Sequence, residues 1–493
     1  NVENIRLNRG TYTVSLDMNN YEFALDAPIN EYRISVFGSS VANGQGASGN
    51  HGYAYLYDNL MNSRYQRKLS DNPFDVSGIS IGGNTTQNLL DRYDELIHDF
   101  GRYVIIGLSM GNEGIHEATD KQALMQQFSN NMQTLIKKVR ADGKIPVVMN
   151  NYTRGDYTLT DYKYIKQMNL LIHEWDVPSV NTLGAIDDGT GKWATGYMAD
   201  NGHPTTNGHN EFFYAMQPSL FDALAAGKPQ PVRDMSCGSK LSGGDIIEFT
   251  GENILHPFTV SVRFKGGDAG RFLTVENTAG RVVGYVDVVE GGKVRYTSYT
   301  GNKLESVMSV DDDAWHTVTL HYYAQKRVLL YVDDVQIGEL AERLTPGKMY
   351  VGDPDSDVSR ELSELFFWRS AFNEDEVKAL VGGRMLKSSL EIYSPLSDLK
   401  GGNIVNLAQS NNAAVLVEKT PSAIAGVSYD NGGDLNVSTS DGTISLTTPS
   451  PVNVRISTSD GKTVFSDTVN GRTDVGGLTA GLYIVNNKKV MLR

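Results

Sequence analysis

Tyr103-Val104-Ile105-Ile106-Gly107-Leu108 is a continuous apolar run with the length of a strand buried on both faces. Residues 124–139 follow with apolar side chains at helical spacing, and Ile145-Pro146-Val147-Val148-Met149 is a second apolar run. Strand, helix, strand in that order winds a parallel sheet, because parallel neighbours need a crossover of a dozen or more residues. Upstream, Arg33-Ile34-Ser35-Val36-Phe37 predicts another core strand, ending at the small residues Gly38, Ser39 and Ser40. Between them, Leu89, Leu90, Tyr93, Leu96 and Ile97 predict a helix over 89–100. Ligands of such sheets sit beyond the carboxyl ends of the strands. Ser40, Asn112 and Asn150 each fall just after a predicted strand.

Four short segments follow one another along the chain: Phe37-Gly38-Ser39-Ser40, Gly82-Gly83-Asn84-Thr85, Met110-Gly111-Asn112-Glu113 and Asp200-Asn201-Gly202-His203-Pro204. An Asp three residues before a His can orient and charge-balance the imidazole, and a Ser after a core strand can be the nucleophile that imidazole deprotonates. The chain order Ser, Asp, His differs from the trypsin-like and subtilisin-like orders. The middle segments supply candidate oxyanion donors, one a backbone N–H and one a carboxamide. Together the four resemble the GDSL/SGNH hydrolase family over roughly residues 32–224. The family's Gly-Asp-Ser is Gly-Ser-Ser here, so the resemblance implies Ser40, not Ser39, as nucleophile. It implies Asp200 and His203 as the rest of a triad. The N–H groups of Ser40 and Gly83 and the side chain of Asn112 would form the oxyanion hole. The family's Gly-Asn-Asp has become Gly-Asn-Glu.

Each residue also has a plainer reading. Ser40 can simply permit a tight turn, Asn112 can be a turn residue, and Asp200 can cap a helix begun near Pro204. Asn84 and Thr85 read as a helix N-cap. His209 is the rival base, but the residue three before it is Thr206. Asn150, Asn151, Trp193 and Tyr197 either line a subsite or belong to loop and core.

Residues 1–30 carry one alternating run, Thr11-Tyr12-Thr13-Val14-Ser15-Leu16, which predicts a strand ahead of a hydrolase domain at 31–230. A sandwich is predicted over 231–420, where short β-branched and aromatic strands alternate with Gly, Asp and Asn turns. Phe258–Phe264, His316–His321 and Val328–Val332 are examples. Trp315-His316-Thr317-Val318, the Tyr331-Val332-Asp333-Asp334 turn and Leu365-Phe366-Phe367-Trp368 resemble the laminin-G-like, concanavalin-type family, which implies a jelly-roll β-sandwich. The Pro-containing segment near 230 is expected to separate two independently folding parts. Residues 421–493 are rich in Ser, Thr, Gly and Asn, with thin strands such as Val452-Asn453-Val454-Arg455-Ile456. Their ending, Gly481-Leu482-Tyr483-Ile484-Val485 and a short basic strand, resembles the C-terminal sorting domains of exported Bacteroidetes proteins. The fold class expected is therefore multidomain: a flavodoxin-like α/β hydrolase, an antiparallel β-sandwich and a small all-β C-terminal domain.

A net charge of −14 over 493 residues argues against a nucleic-acid partner. No run approaches the roughly 20 apolar residues that span a bilayer. Cys237 is the sole cysteine, so no intrachain disulfide forms. The chain begins at Asn1 rather than Met, as after removal of a leader or at a cut end. With the sorting-like ending, this predicts a secreted, periplasmic or surface protein. No cofactor or metal is needed by the chemistry. Asp311-Asp312-Asp313 and Asp333-Asp334 could ligate Ca²⁺, though solvated acidic turns are the plainer reading. The activity expected is hydrolysis of O-acyl, above all O-acetyl, esters on a small molecule or polysaccharide, with further glycan contact by the sandwich. The alternatives are a lipase or lysophospholipase, and a non-catalytic glycan-binding protein.

Overall fold

The computed structural model describes residues 13–17, 22–26, 29–99, 101–323, 325–399, 402–419, 435–440, 442–486 and 488–492. Backbone contacts divide the chain into two compact units, Asn1–Glu418 and Lys419–Arg493. In the first, a hairpin pairs Thr13–Asp17 with Glu22–Asp26. It includes part of the predicted first strand, whose Thr11 and Tyr12 lie outside the described residues.

The α/β layer is built on five strands: β1 (Asn30–Gly38), β2 (Asp75–Gly78), β3 (Gly101–Gly107), β4 (Ile145–Met149) and β5 (Ser179–Val180). They are all parallel, in the order β2-β1-β3-β4-β5. This is the flavodoxin-like order, whose switch point lies between the first and third strands. Alternate strand residues feed two cores, as the strand period of two requires. Val36, Ile105 and Val147 enter one with Tyr57 of α1 (Tyr53–Gln66), and Phe212 of the helix Thr206–Tyr214 joins them. Phe37, Ile106 and Val148 enter the other with Phe128 of the helix Lys121–Ala141 and Ile165 of the helix Leu159–Glu174.

The predicted helix over 89–100 is instead two short ones, Thr86–Asp91 and Glu95–Asp99. The first starts in a capping box, in which Thr85 and Asn88 each bond the other's backbone N–H.

The later residues of the first unit form two antiparallel sheets. Phe258–Lys265 lies between His316–Tyr323 and Arg360–Trp368 in one, and Gly270–Glu276 between Val282–Val289 and Lys348–Gly352 in the other. Val260, Val262, Leu320 and Phe367 of the first sheet pack with Val275, Val286, Tyr296 and Met349 of the second. A free-standing sandwich should bury every second residue of its strands. His316–Tyr323 is buried at every position. Its far face is covered too: Tyr331, Phe366, Trp368 and Tyr393 form a further core with Val377 and Leu380 of the helix Glu374–Val381, and Leu170 of the α/β layer packs against it.

The boundary expected near 230 is therefore no boundary in packing. Arg369 and Glu391 pair at 2.6 Å with side chains wholly removed from solvent, and the same guanidinium donates to the carbonyls of Tyr214 at 2.6 Å and Ile254 at 2.7 Å. His173 is buried between Glu376 and Ser388. Its Nδ1 accepts from Ser388 N–H at 3.0 Å, so Nε2 carries the proton and donates to Glu376 Oε1 at 2.9 Å. Asn181 at the end of β5 donates to the same oxygen at 2.8 Å. These contacts weld sandwich and α/β layer together.

In the second unit Thr443–Thr458 pairs with Asn436–Ser440, Thr463–Val475 and Gly481–Val485, around Leu446, Val454, Ile456, Tyr483 and Val485. Gly481–Val485 and Lys488–Leu492 make the closing hairpin. The Pro421 boundary falls outside the described residues.

Candidate functional site

Ser40 lies two residues past the end of β1. Gly38 allows the turn, because a Cβ there would lie 2.3 Å from the carbonyl oxygen of Gly107 on neighbouring β3. The loop after Ser40 then runs against the segment carrying His203. A Cβ on Gly46, which adopts φ +95°, would lie 2.2 Å from the Pro204 carbonyl oxygen, and Ser48 N–H donates to Thr206 Oγ1 at 3.0 Å. Two distant segments are thereby packed closely and tied by a backbone-to-side-chain hydrogen bond.

The result is a line of three side chains. Ser40 Oγ lies 2.9 Å from His203 Nε2, and His203 Nδ1 lies 2.8 and 2.9 Å from the two oxygens of Asp200. Asp200 also accepts the N–H groups of Gly202 and His203 at 2.8 and 3.0 Å. Desolvation pushes this carboxyl up, but the imidazole and the two N–H groups outweigh it and hold Asp200 below the usual carboxylate range. An ionised Asp200 accepts a hydrogen bond from Nδ1–H and so keeps the proton on that nitrogen, which leaves the Nε2 lone pair for the Ser40 hydroxyl. The Asp200 side chain is 59% exposed, so water reaches its outer edge.

Ser39 turns the other way and is fully buried, its hydroxyl without a partner among the described residues. His209 is also buried. Its Nε2–H donates to the Gln45 carbonyl at 3.0 Å, and burial lowers its pKa, so it is a neutral structural imidazole.

The two predicted oxyanion segments meet each other. A Cβ on Gly82 would stand 3.7 Å from Ser40 Cβ, and Gly83 takes φ +78°. Asn112 Nδ2 donates to the Asn84 carbonyl at 2.9 Å, which fixes the amide and occupies one of its two N–H bonds. The Glu that replaces the family's Asp has its own use: Glu113 accepts Thr86 N–H at the start of the short helix. Asn150 and Asn151 are wholly buried braces rather than lining residues, accepting from Thr182 N–H and Met110 N–H respectively, each at 2.7 Å. Trp193 is also largely buried, and its Nε1–H supports the triad loop at the Asn201 carbonyl. Tyr197 bonds Glu211.

Two residues that sequence reasoning passed over lie beside the line. Arg154 donates through Nε and Nη2 to both oxygens of Asp156, at 2.9 and 2.7 Å. It stands against Gly111 and Gly202, the neighbours of Asn112 and His203. An Arg-x-Asp in a loop has no distinguishing spacing, so only the fold reveals it.

Three of the five carboxylates named for Ca²⁺ are engaged in ion pairs. Asp312 and Asp333 each face one nitrogen of His316 at 2.9 Å, and Asp313 pairs with Lys265 at 2.8 Å. Among the described residues no group of three or more His, Cys, Asp and Glu is placed to hold a metal ion, and no helix is long and apolar enough to cross a membrane.

Comparison with known proteins matches residues 36–210 to the GDSL-like Lipase/Acylhydrolase family. This part of the chain is a GDSL-like acylhydrolase domain. It spans all five residues predicted from the motifs, and it makes the protein an SGNH-type ester hydrolase. No curated protein sequence matches the chain. Among solved structures, a mutant of an acetylxylan esterase from Geobacillus stearothermophilus is 16% identical, with 37% of this chain and 90% of that chain covered and a TM-score of 0.30. An acylhydrolase of Bacteroides fragilis is 16% identical over 40% and 89%, with a TM-score of 0.30. A pentraxin from Limulus polyphemus is 13% identical over 39% and 100%, with a TM-score of 0.27. At these scores none of the three bears on the reaction of the GDSL-like domain.

Proposed function

We propose that the GDSL-like domain is a serine esterase that removes O-acyl groups, O-acetyl above all, from carbohydrate by way of an acyl-enzyme. The observation that carries the reading is the unbroken line from Ser40 Oγ through His203 to Asp200. His203 Nε2 takes the Ser40 proton as Oγ attacks the ester carbonyl, then gives it to the departing alcohol. Water repeats the cycle on the acyl-Ser40. The N–H groups of Ser40 and Gly83 and the Asn112 amide stabilise the anion that develops on the carbonyl oxygen. A rim carrying Arg154 and Asp156 suits a hydroxylated alcohol better than a fatty chain.

The closing hairpin of Gly481–Val485 and Lys488–Leu492 supports action outside the cytoplasm, with the second unit as a sorting element. The welded sandwich then serves as a platform for glycan at the same surface. The deciding experiment sets purified protein against acetylated polysaccharides and aryl esters of rising acyl length. Acetate release from polysaccharide, lost in Ser40→Ala, supports the reading. Preference for long acyl chains refutes it.

A further inference from the structure

We propose that Arg154 and Asp156 form the subsite that reads the alcohol half of the ester, gripping two neighbouring hydroxyls of a sugar ring. The inference rests on the esterase reading above and names the feature of the substrate that the site recognises.

A guanidinium carries five N–H donors in a fixed plane. The fork to Asp156 uses two and locks that plane, leaving the Nη1 edge turned from the carboxylate. That edge is beside the reaction centre: a Cβ on Gly202 would stand 3.2 Å from Nη1, and one on Gly111 would stand 2.7 Å from Arg154 Cδ. Glycine at both positions is what admits the side chain between the His203 loop and the Asn112 loop. Gly155 N–H donates to the Asn201 carbonyl at 2.9 Å, so the 154–156 turn is fastened to the triad loop as well.

The pair stays open to solvent, with Arg154 23% and Asp156 21% exposed. Its charges cancel, and Asp200 lies two residues before Gly202, so the locality does not favour an anionic group. A locked donor edge next to a carboxylate with spare lone pairs matches a vicinal diol, in which one hydroxyl accepts and the other donates. Met198 completes the match. It is 50% exposed, and its sulfur would lie 2.7 Å from a Cβ on Gly155, which puts an apolar surface beside the polar pair. A sugar ring offers both kinds of surface.

The test uses the full chain and two substrates: a methyl mono-O-acetyl-pyranoside with free neighbouring hydroxyls, and the same compound with those hydroxyls methylated. The wild type should prefer the free diol at least tenfold in kcat/KM. In Arg154→Gln and in Asp156→Asn the loss on the diol should exceed the loss on the methyl ether at least tenfold, and it should appear in KM more than in kcat. Equal losses on both compounds would mean the pair only braces the loops, and would overturn the proposal. So would a wild type that hydrolyses both compounds alike, a result independent of whether either variant folds. A wild type inactive on these and on every aryl ester sinks the esterase reading itself, and this inference with it.

Discussion

Replacing Arg369 with Met should unfold more than a surface ion pair would suggest. The guanidinium is wholly buried and holds three partners: Glu391 Oε2, the Tyr214 carbonyl and the Ile254 carbonyl. Stripping the cation from a buried carboxylate costs about 3–5 kcal/mol. Two carbonyls left without donors add about 1 kcal/mol each at the low end of the range for unsatisfied buried groups. The sum is about 5–7 kcal/mol, comparable with the roughly 5–15 kcal/mol that holds a whole domain. Because Tyr214 ends the helix that follows His203, the α/β layer should fail together with the sandwich. Urea unfolding followed by Trp fluorescence and by residual esterase activity checks this, since Trp193 and Trp368 report from either side of the interface. Both midpoints should fall together in Arg369→Met. Arg369→Met combined with Glu391→Leu should recover much of the loss, because no charge is then left buried. A single variant within 1 kcal/mol of wild type, or a double variant no better than the single, would refute the argument.

The nucleophile is tested by Ser40→Ala, which should abolish ester hydrolysis and fluorophosphonate labelling, while Ser39→Ala keeps most of both. Asn112→Ala should lower kcat by about 10²–10³, or about 2.7–4 kcal/mol, with little change in KM, as expected of a donor that acts on the developing anion. His203→Ala should match Ser40→Ala on a small ester. His209→Ala should instead lower the melting temperature and spare more of kcat, because it removes a buried ring and the donor of the Gln45 carbonyl. Facing a carboxylate with each nitrogen, His316 is held as imidazolium. Burial lowers its pKa, and Asp312 and Asp333 outweigh this and raise it. Its stabilisation is therefore complete below the unfolded value of about 6.5 and is lost as pH rises through the higher folded value. The melting temperature should fall over that interval, and His316→Gln should flatten the fall.

The runs around Ile34, Ile105 and Val147 announced their strands because a strand buried on both faces has nowhere to put a polar residue. Asp75–Gly78 and Ser179–Val180 carry too few apolar residues to be read that way, and they exist through pairing with neighbours already in place. The break between Thr86–Asp91 and Glu95–Asp99 escaped notice because apolar spacing continues across it while hydrogen bonding does not. Ser40, Asp200 and His203 were legible because their roles depend on local spacing within short motifs. Arg154 was not, since its position follows from the space left by Gly111 and Gly202 in separate loops. The weld at Arg369 was hidden for the same reason. A buried Arg looks like any other Arg until both of its sides are assembled.

The seam where Gly46 meets Pro204 and Ser48 meets Thr206 bears on the temperature dependence of turnover. Nucleophile and base arrive on segments some 160 residues apart in sequence, yet the two are packed and hydrogen-bonded together before any ester binds. Little motion is left to freeze as Ser40 approaches the carbonyl, so the activation entropy of acylation should lie near zero and enthalpy should make up most of the barrier. A side chain at position 46 would pry the seam apart and move that balance towards an entropic barrier, with Ser40, His203 and Asp200 all still present.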